Sequence, residues 1–207
     1  MTKTWLITGC ASGIGRSTAE LALARGANLV ATARDATHLF SLEQRYGDRV
    51  ALVDLDVTDD VAARAAVDVA VTRFGKLDVL VNSAGCGHLA PFEQKSATDF
   101  RTEVDTNFFG VVNLVRAVLP SMRRQRSGHI INISSSAARF GGAGSSAYCA
   151  AKWAVSGFTE SIAKEATPSA SRSSLSSQEA FERTGRASPE AAYRRSFPRT
   201  NRLLGSS

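Results

Sequence analysis

Short apolar runs alternate with longer stretches of helical periodicity along most of the chain. Thr4-Trp5-Leu6-Ile7-Thr8 reads as a first buried strand. Ile14 to Arg25 reads as a helix with Gly26 at its stop, Asn28 to Thr32 as a second strand, and Thr37 to Tyr46 as a helix. Val50 to Leu55 follows as a third strand, Asp59 to Phe74 as a helix ending at Gly75, and Leu77 to Val81 as a fourth strand. One long helical stretch is expected from Thr98 to Arg124, then a strand from His129 to Ile133 and a helix from Ala147 to Glu165. Strands that are apolar throughout must be covered on both faces, and helices between them supply the cover. The pattern therefore predicts an α/β fold, a doubly wound, Rossmann-like parallel sheet, in residues 1–165.

The period fails after that. Ser169 to Ser177 is serine-rich with a single large apolar residue, Leu175, and no sustained period follows. Residues 166–207 are expected to be an irregular Ser/Arg-rich tail. From Ala166 onward there are seven arginines, no lysine and three glutamates. Most of the chain's net charge of +6 thus belongs to the tail, and the nearly neutral body gives no sign of a nucleic-acid-binding surface. No apolar run approaches a membrane span. With a strand beginning at Lys3, no signal or transit peptide is expected. Cys10, Cys86 and Cys149 form no CxxC pair and no metal spacing. They suit free thiols in a reducing, cytoplasmic setting.

Candidate chemistry clusters at three places. Thr8-Gly9-Cys10-Ala11-Ser12-Gly13-Ile14-Gly15 follows a strand and opens a helix, the context in which a glycine loop brings backbone N–H groups to a pyrophosphate. Arg34 ends the second strand, where a basic side chain pairs with a ribose 2′-phosphate and favours NADP(H). Asp35 beside it keeps NAD(H) open. Asp56, after the third strand, is placed to accept from an adenine amino group or to cap the next helix, a role for which Thr58 competes. Tyr148 and Lys152 lie four apart, on one face of a helix, where an ammonium favours a phenolate. Ser135 stands thirteen residues before Tyr148, with Ser134 and Ser136 as competitors for its role.

Together these residues resemble the short-chain dehydrogenase/reductase family. T-G-x-x-x-G-x-G matches Thr8 to Gly15, N-x-A-G matches Asn82-Ser83-Ala84-Gly85, the family asparagine matches Asn107, and the serine and Y-x-x-x-K match Ser135, Tyr148 and Lys152. The wording around them is similar to the branch containing steroid and retinol dehydrogenases. The resemblance covers Thr4 to about Glu165. It implies an NADP(H)-dependent oxidoreductase acting on a ketone or secondary alcohol, a small-molecule substrate of steroid, retinoid or other hydrophobic-alcohol type. Tyr148 would be acid or base, Lys152 would lower its pKa and hold the nicotinamide ribose, Ser135 would polarise the carbonyl, and Asn107 would hold a water leading from Lys152. It also implies cofactor contacts from Gly9, Ser12, Gly13, Ile14, Gly15, Arg34, Asp56, Asn82, Ala84, Gly85, Tyr148 and Lys152, and a homo-oligomer. His88, His129 and Cys149 have no part in it. A sugar-nucleotide epimerase also uses Tyr-x-x-x-Lys, but the three-residue gap between Gly9 and Gly13 argues against it.

The family's sixth and seventh strands and its proline-glycine turn are not legible after Pro168, so the strand His129 to Ile133 is expected to be an open edge. Back-translated with synonymous codons chosen at the free positions, Pro168 to Ser188 reads L-G-I-K-V-I-I-V-E-P-G-G-I-R-T-D-W-A-G-F in a shifted frame. That supplies the absent strand and turn. An inactive, frameshifted or truncated product is therefore the alternative expectation.

Overall fold

The computed structural model describes residues 2–166 and 176–178. Strands β1 (Thr4–Ile7), β2 (Asn28–Ala33), β3 (Val50–Asp54), β4 (Val79–Asn82), β5 (His129–Ile133) and β6 (Ser176–Gln178) form one sheet among the described residues. Its order is β3-β2-β1-β4-β5-β6, with every neighbouring pair parallel. The chain runs outward from β1 to β3, then returns to pair β4 on the other side of β1. The sheet therefore switches direction between β1 and β4, and in open α/β sheets a crevice forms outside the carboxyl ends at such a point.

Helices α1 (Gly13–Ala24), α2 (Phe40–Tyr46), α3 (Asp60–Phe74), α4 (Ala97–Val104), α5 (Gly110–Gln125) and α6 (Ser146–Ala166) follow the expected alternation. Period-two alternation within the strands divides the core in two. Leu6, Val30 and Leu80 pack with Val67, Leu114 and Val155 from α3, α5 and α6. Their chain neighbours Ile7, Leu29 and Val81 pack with Ala19, Leu23 and Leu42 from α1 and α2. Apart from the exposed Asp54 at the end of β3, the side chains of β1 to β5 thus lie wholly or partly under one helical layer or the other, and each fully buried leucine contributes about 1.5–3 kcal/mol.

Four expectations change. The stretch from Thr98 to Arg124 is not one helix. A π-helical turn, Asp105–Phe109, separates α4 from α5 and places Asn107 in its middle. The stretch from Thr37 likewise begins as a 3-10 turn, Ala36–Leu39, before α2, with the Asp35 side chain accepting from the Thr37 N–H. Asp59, rather than Asp56 or Thr58, caps α3 by accepting from the Val61 and Ala62 N–H groups. The edge of β5 is not fully open: β6 pairs with it at Ile131, Asn132 and Ile133. The remainder of the expected irregular tail, including the frame-shifted reading of Pro168 to Ser188 apart from β6, lies outside the described residues.

Candidate active site

The glycine loop is built by close backbone approach. Gly9 and Gly13 have φ of +71° and +57°, in the region that favours glycine. A Cβ on Gly15 would lie 2.4 Å from the Gly9 carbonyl oxygen, and one on Gly9 would lie 2.9 Å from the Ala84 Cα. The loop is thus pressed onto itself and onto the segment that follows β4. Thr8 completes this clamp: its Oγ1 accepts from the Ser83 and Ala84 N–H groups, both at 3.0 Å. The sequence includes Thr8 in the motif but gives it no task; a hydroxyl at the buried end of a strand is the only signal.

Helix α1 opens directly from the loop. Ser12 occupies its N-cap without a capping side-chain bond, and no acidic residue stands in the first turn. The leading N–H groups and the positive end of the helix therefore face the loop without a competing carboxylate. Ile14 lies in that first turn. Cys10 is buried against the Ile7 carbonyl, and burial pushes its thiol up to about 12.

Arg34 is exposed just past β2. Asp56 is exposed just past β3, where its carboxylate accepts from the Thr58 N–H and hydroxyl at 2.9 and 2.7 Å. Those bonds, chiefly, and the Arg34 charge hold Asp56 below the usual carboxylate range. The two side chains thus flank the carboxyl ends of β2 and β3. Asn82 is buried, and its Nδ2 donates to Asn132 Oδ1 at 2.8 Å. Asn132 in turn donates to Thr159 Oγ1 at 2.8 Å on α6. The Asn82 amide group is therefore spent on tying β4 to β5 and α6.

The catalytic candidates gather beyond β4 and β5. Lys152 is buried on α6 and its Nζ donates to the Ile133 carbonyl at 3.0 Å. Its Nζ lies 5.7 Å from the centre of the Tyr148 ring, as four-residue helical spacing requires. Asn107 is fully buried, and its Nδ2 donates to the Glu103 and Cys86 carbonyls at 2.8 and 2.7 Å. Its Oδ1 has no hydrogen-bond partner among the described residues. A Cβ on Gly85 would lie 2.7 Å from that oxygen and 4.0 Å from Lys152 Nζ, so both atoms border the same small space above Gly85. Ser134 is buried and its hydroxyl lies 3.5 Å from that of Ser156. Ser135 is half-buried, and its Oγ accepts from the Ala137 N–H at 3.2 Å. Of this adjacent pair, Ser134 is engaged with α6, while Ser135 opens the turn leading towards Tyr148. Among the described residues no group of His, Cys, Asp or Glu has metal-ligand geometry.

Burial lowers Lys152 to about 8, from an ordinary 10.5. Below about pH 8 the fold therefore carries the cost of a buried ammonium. As pH rises from there towards 10.5, the folded chain releases this proton before the unfolded chain does, and stability rises. A shift of that size corresponds to about 3 kcal/mol. Urea unfolding across this range is expected to show the parent gaining stability relative to Lys152→Met; parallel curves would contradict the assignment.

The short chain dehydrogenase family model matches residues 3–172. The chain belongs to that family. It is 45% identical over 166 residues to the oxidoreductase BOA17 of Botryotinia fuckeliana, covering 80% of this chain and 61% of that protein. It is 40% identical over 169 residues to retinol dehydrogenase 8 of Bos taurus, covering 78% of this chain and 53% of that protein. The chain thus spans little more than half of these relatives' length. Among solved structures, ElxO with NADP bound superposes with a TM-score of 0.76 at 32% identity, over 80% of this chain and 68% of that one. The Rossmann-like short chain dehydrogenase fold is accordingly the fold of this chain.

Proposed function

We propose that this chain is an NADP(H)-dependent oxidoreductase acting on a ketone or secondary alcohol, with Tyr148 as acid or base. The observation that carries the reading is the meeting of the Gly9–Gly15 cradle with the buried Lys152 and Tyr148 at the carboxyl ends of β1, β4 and β5. Gly9, Ser12, Gly13, Ile14 and Gly15 receive the pyrophosphate, Arg34 the 2′-phosphate, and Asp56 the adenine. Ala84 and Gly85 line the approach, while Asn82 acts through the sheet it ties together. The nicotinamide supplies or takes a hydride when bound. Lys152 would hold the ribose, and its ammonium favours the Tyr148 phenolate, which lets the phenol give its proton to a carbonyl oxygen of the substrate. Ser135 donates to that same oxygen. The unpartnered Oδ1 of Asn107 accepts from a water shared with Lys152, which returns protons to the site. ElxO with NADP bound supports the choice of nucleotide, since it shares this fold at 32% identity.

NADPH consumption with a panel of ketones tests the reading; no turnover and no binding would sink it. Arg34→Leu is expected to weaken NADPH about tenfold and leave NADH within twofold, because a charge-assisted hydrogen bond contributes about 1.5–3 kcal/mol. Equal losses for both nucleotides would remove Arg34 from the 2′-phosphate site.

A second reading rests on the shifted-frame translation after Pro168, which supplies a strand and a proline-glycine turn. In it the present chain is a frameshifted reductase that binds nucleotide weakly and turns nothing over. Sequencing the source DNA decides between them: an intact frame with no such alternate reading excludes the second.

A further inference from the structure

The reading above leaves one buried charged pair unused. Lys95 stands between a 3-10 turn, Phe92–Gln94, and α4, and Glu103 lies on α4. Lys95 Nζ lies 2.5 Å from Glu103 Oε2, with the two side chains 0% and 4% exposed. An apolar pair of similar volume serves stability as well or better in such a place. What an apolar pair lacks is the ability to hold another polar group, and this pair holds one in the segment after β4. Lys95 Nζ also donates to the His88 carbonyl at 2.7 Å. The Glu103 backbone carbonyl accepts from Asn107 Nδ2, which donates as well to the Cys86 carbonyl. Two residues beyond His88, the Ala90 N–H donates to the Gly144 carbonyl at 3.0 Å, in the segment that leads into α6.

Alternate residues of the segment after β4 are therefore tied down: Cys86 by Asn107, His88 by Lys95, Ala90 by Gly144. Between these ties sits Gly87. A Cβ there would lie 3.6 Å from Tyr148 Cδ2 and 3.8 Å from Glu103 Oε1, a buried oxygen with no partner among the described residues. The carboxylate and the tyrosine ring thus face each other across a residue without a side chain.

We propose that Lys95 and Glu103 are a positioning pair: with Lys95 held by the carboxylate and donating to the His88 carbonyl, they pin residues 86–90 as a strap beside Tyr148. The catalytic part of this proposal rests on the oxidoreductase reading; the strap does not.

The test uses the full chain. Lys95→Met alone leaves a buried, unpaired carboxylate and is expected to unfold more easily, so the deciding variant is the doubly neutral K95M/E103M. Residue-resolved hydrogen exchange is read at the Ala90 amide, with the Thr8 amide, which donates to the Val81 carbonyl at 2.9 Å, as the control for global stability. Exchange at Ala90 is expected to quicken about tenfold while Thr8 keeps the parent's protection. On any ketone that the parent reduces, kcat is expected to fall about tenfold with the KM for NADPH within twofold. Unchanged Ala90 exchange overturns the proposal. So does equal acceleration at Ala90 and Thr8, which marks general loosening, or an unchanged kcat. A parent that fails to bind NADPH would overturn the oxidoreductase reading and leave the exchange comparison to decide the strap.

Discussion

Tyr148→Phe is expected to lower turnover about a thousandfold while NADPH affinity stays within threefold of the parent's. A positioned general acid contributes about 10²- to 10⁴-fold, and the substitution removes that group alone. The ring remains to fill the place beside Gly87, and the helical spacing to Lys152 is untouched. Burial already holds Lys152 to about 8, so at neutral pH it is still mostly an ammonium, close enough to act on the phenol. Steady-state rates on the best ketone, with fluorescence titration of NADPH, check this. A variant that keeps a tenth or more of the parent's rate would take the proton transfer away from Tyr148.

Gly15→Ala is expected to have the second largest effect, and on binding rather than chemistry. The added carbon would sit 2.4 Å from the Gly9 carbonyl oxygen and 2.9 Å from its carbon. Both are backbone atoms, and a methyl group has no rotamer to escape into. Either α1 moves or the loop does, at a cost of about 1–3 kcal/mol, and both shifts move the N–H groups meant for the pyrophosphate. NADPH affinity is expected to fall at least about tenfold, with a lower melting temperature. Gly157→Ala supplies the contrast, since its Cβ would meet nothing within 4 Å inside α6 and is expected to stabilise by about 0.5–1 kcal/mol. If Gly15→Ala bound NADPH as the parent does, the cradle would have to be sought elsewhere.

The sequence discloses the sheet because β1 to β5 are apolar on both faces, and it discloses the site because the motifs sit at strand ends. It conceals what depends on backbone register. The apolar period runs unbroken from Thr98 to Arg124, yet the turn at Asp105–Phe109 takes one extra residue, which no side-chain pattern records. That extra residue is what sets Asn107 inside the fold with one oxygen unpartnered among the described residues. Asn82 resembles a cofactor ligand in its motif, but only the structure shows Asn132 engaging its amide. Lys95 and Glu103 carry no mark in the sequence, because their partnership spans eight residues and a change of element. The serine-rich sequence around Ser176–Gln178 predicts no strand; its pairing with β5 is a backbone match to which composition is blind.

The strand order also governs when the nucleotide loop comes into being. β1 meets β4 across more than seventy residues, as the bond from the Thr4 N–H to the Asp78 carboxylate illustrates. Contacts so distant along the chain form late, because their loop entropy must be overcome before they contribute stability. On a ribosome, β1, β2 and β3 emerge and can pair while the other flank of β1 still lacks its neighbour. Thr8 gains its two donors only when Ser83 and Ala84 arrive. The phosphate cradle is thus completed by the docking of the second half onto the first, and nucleotide capture reports that docking.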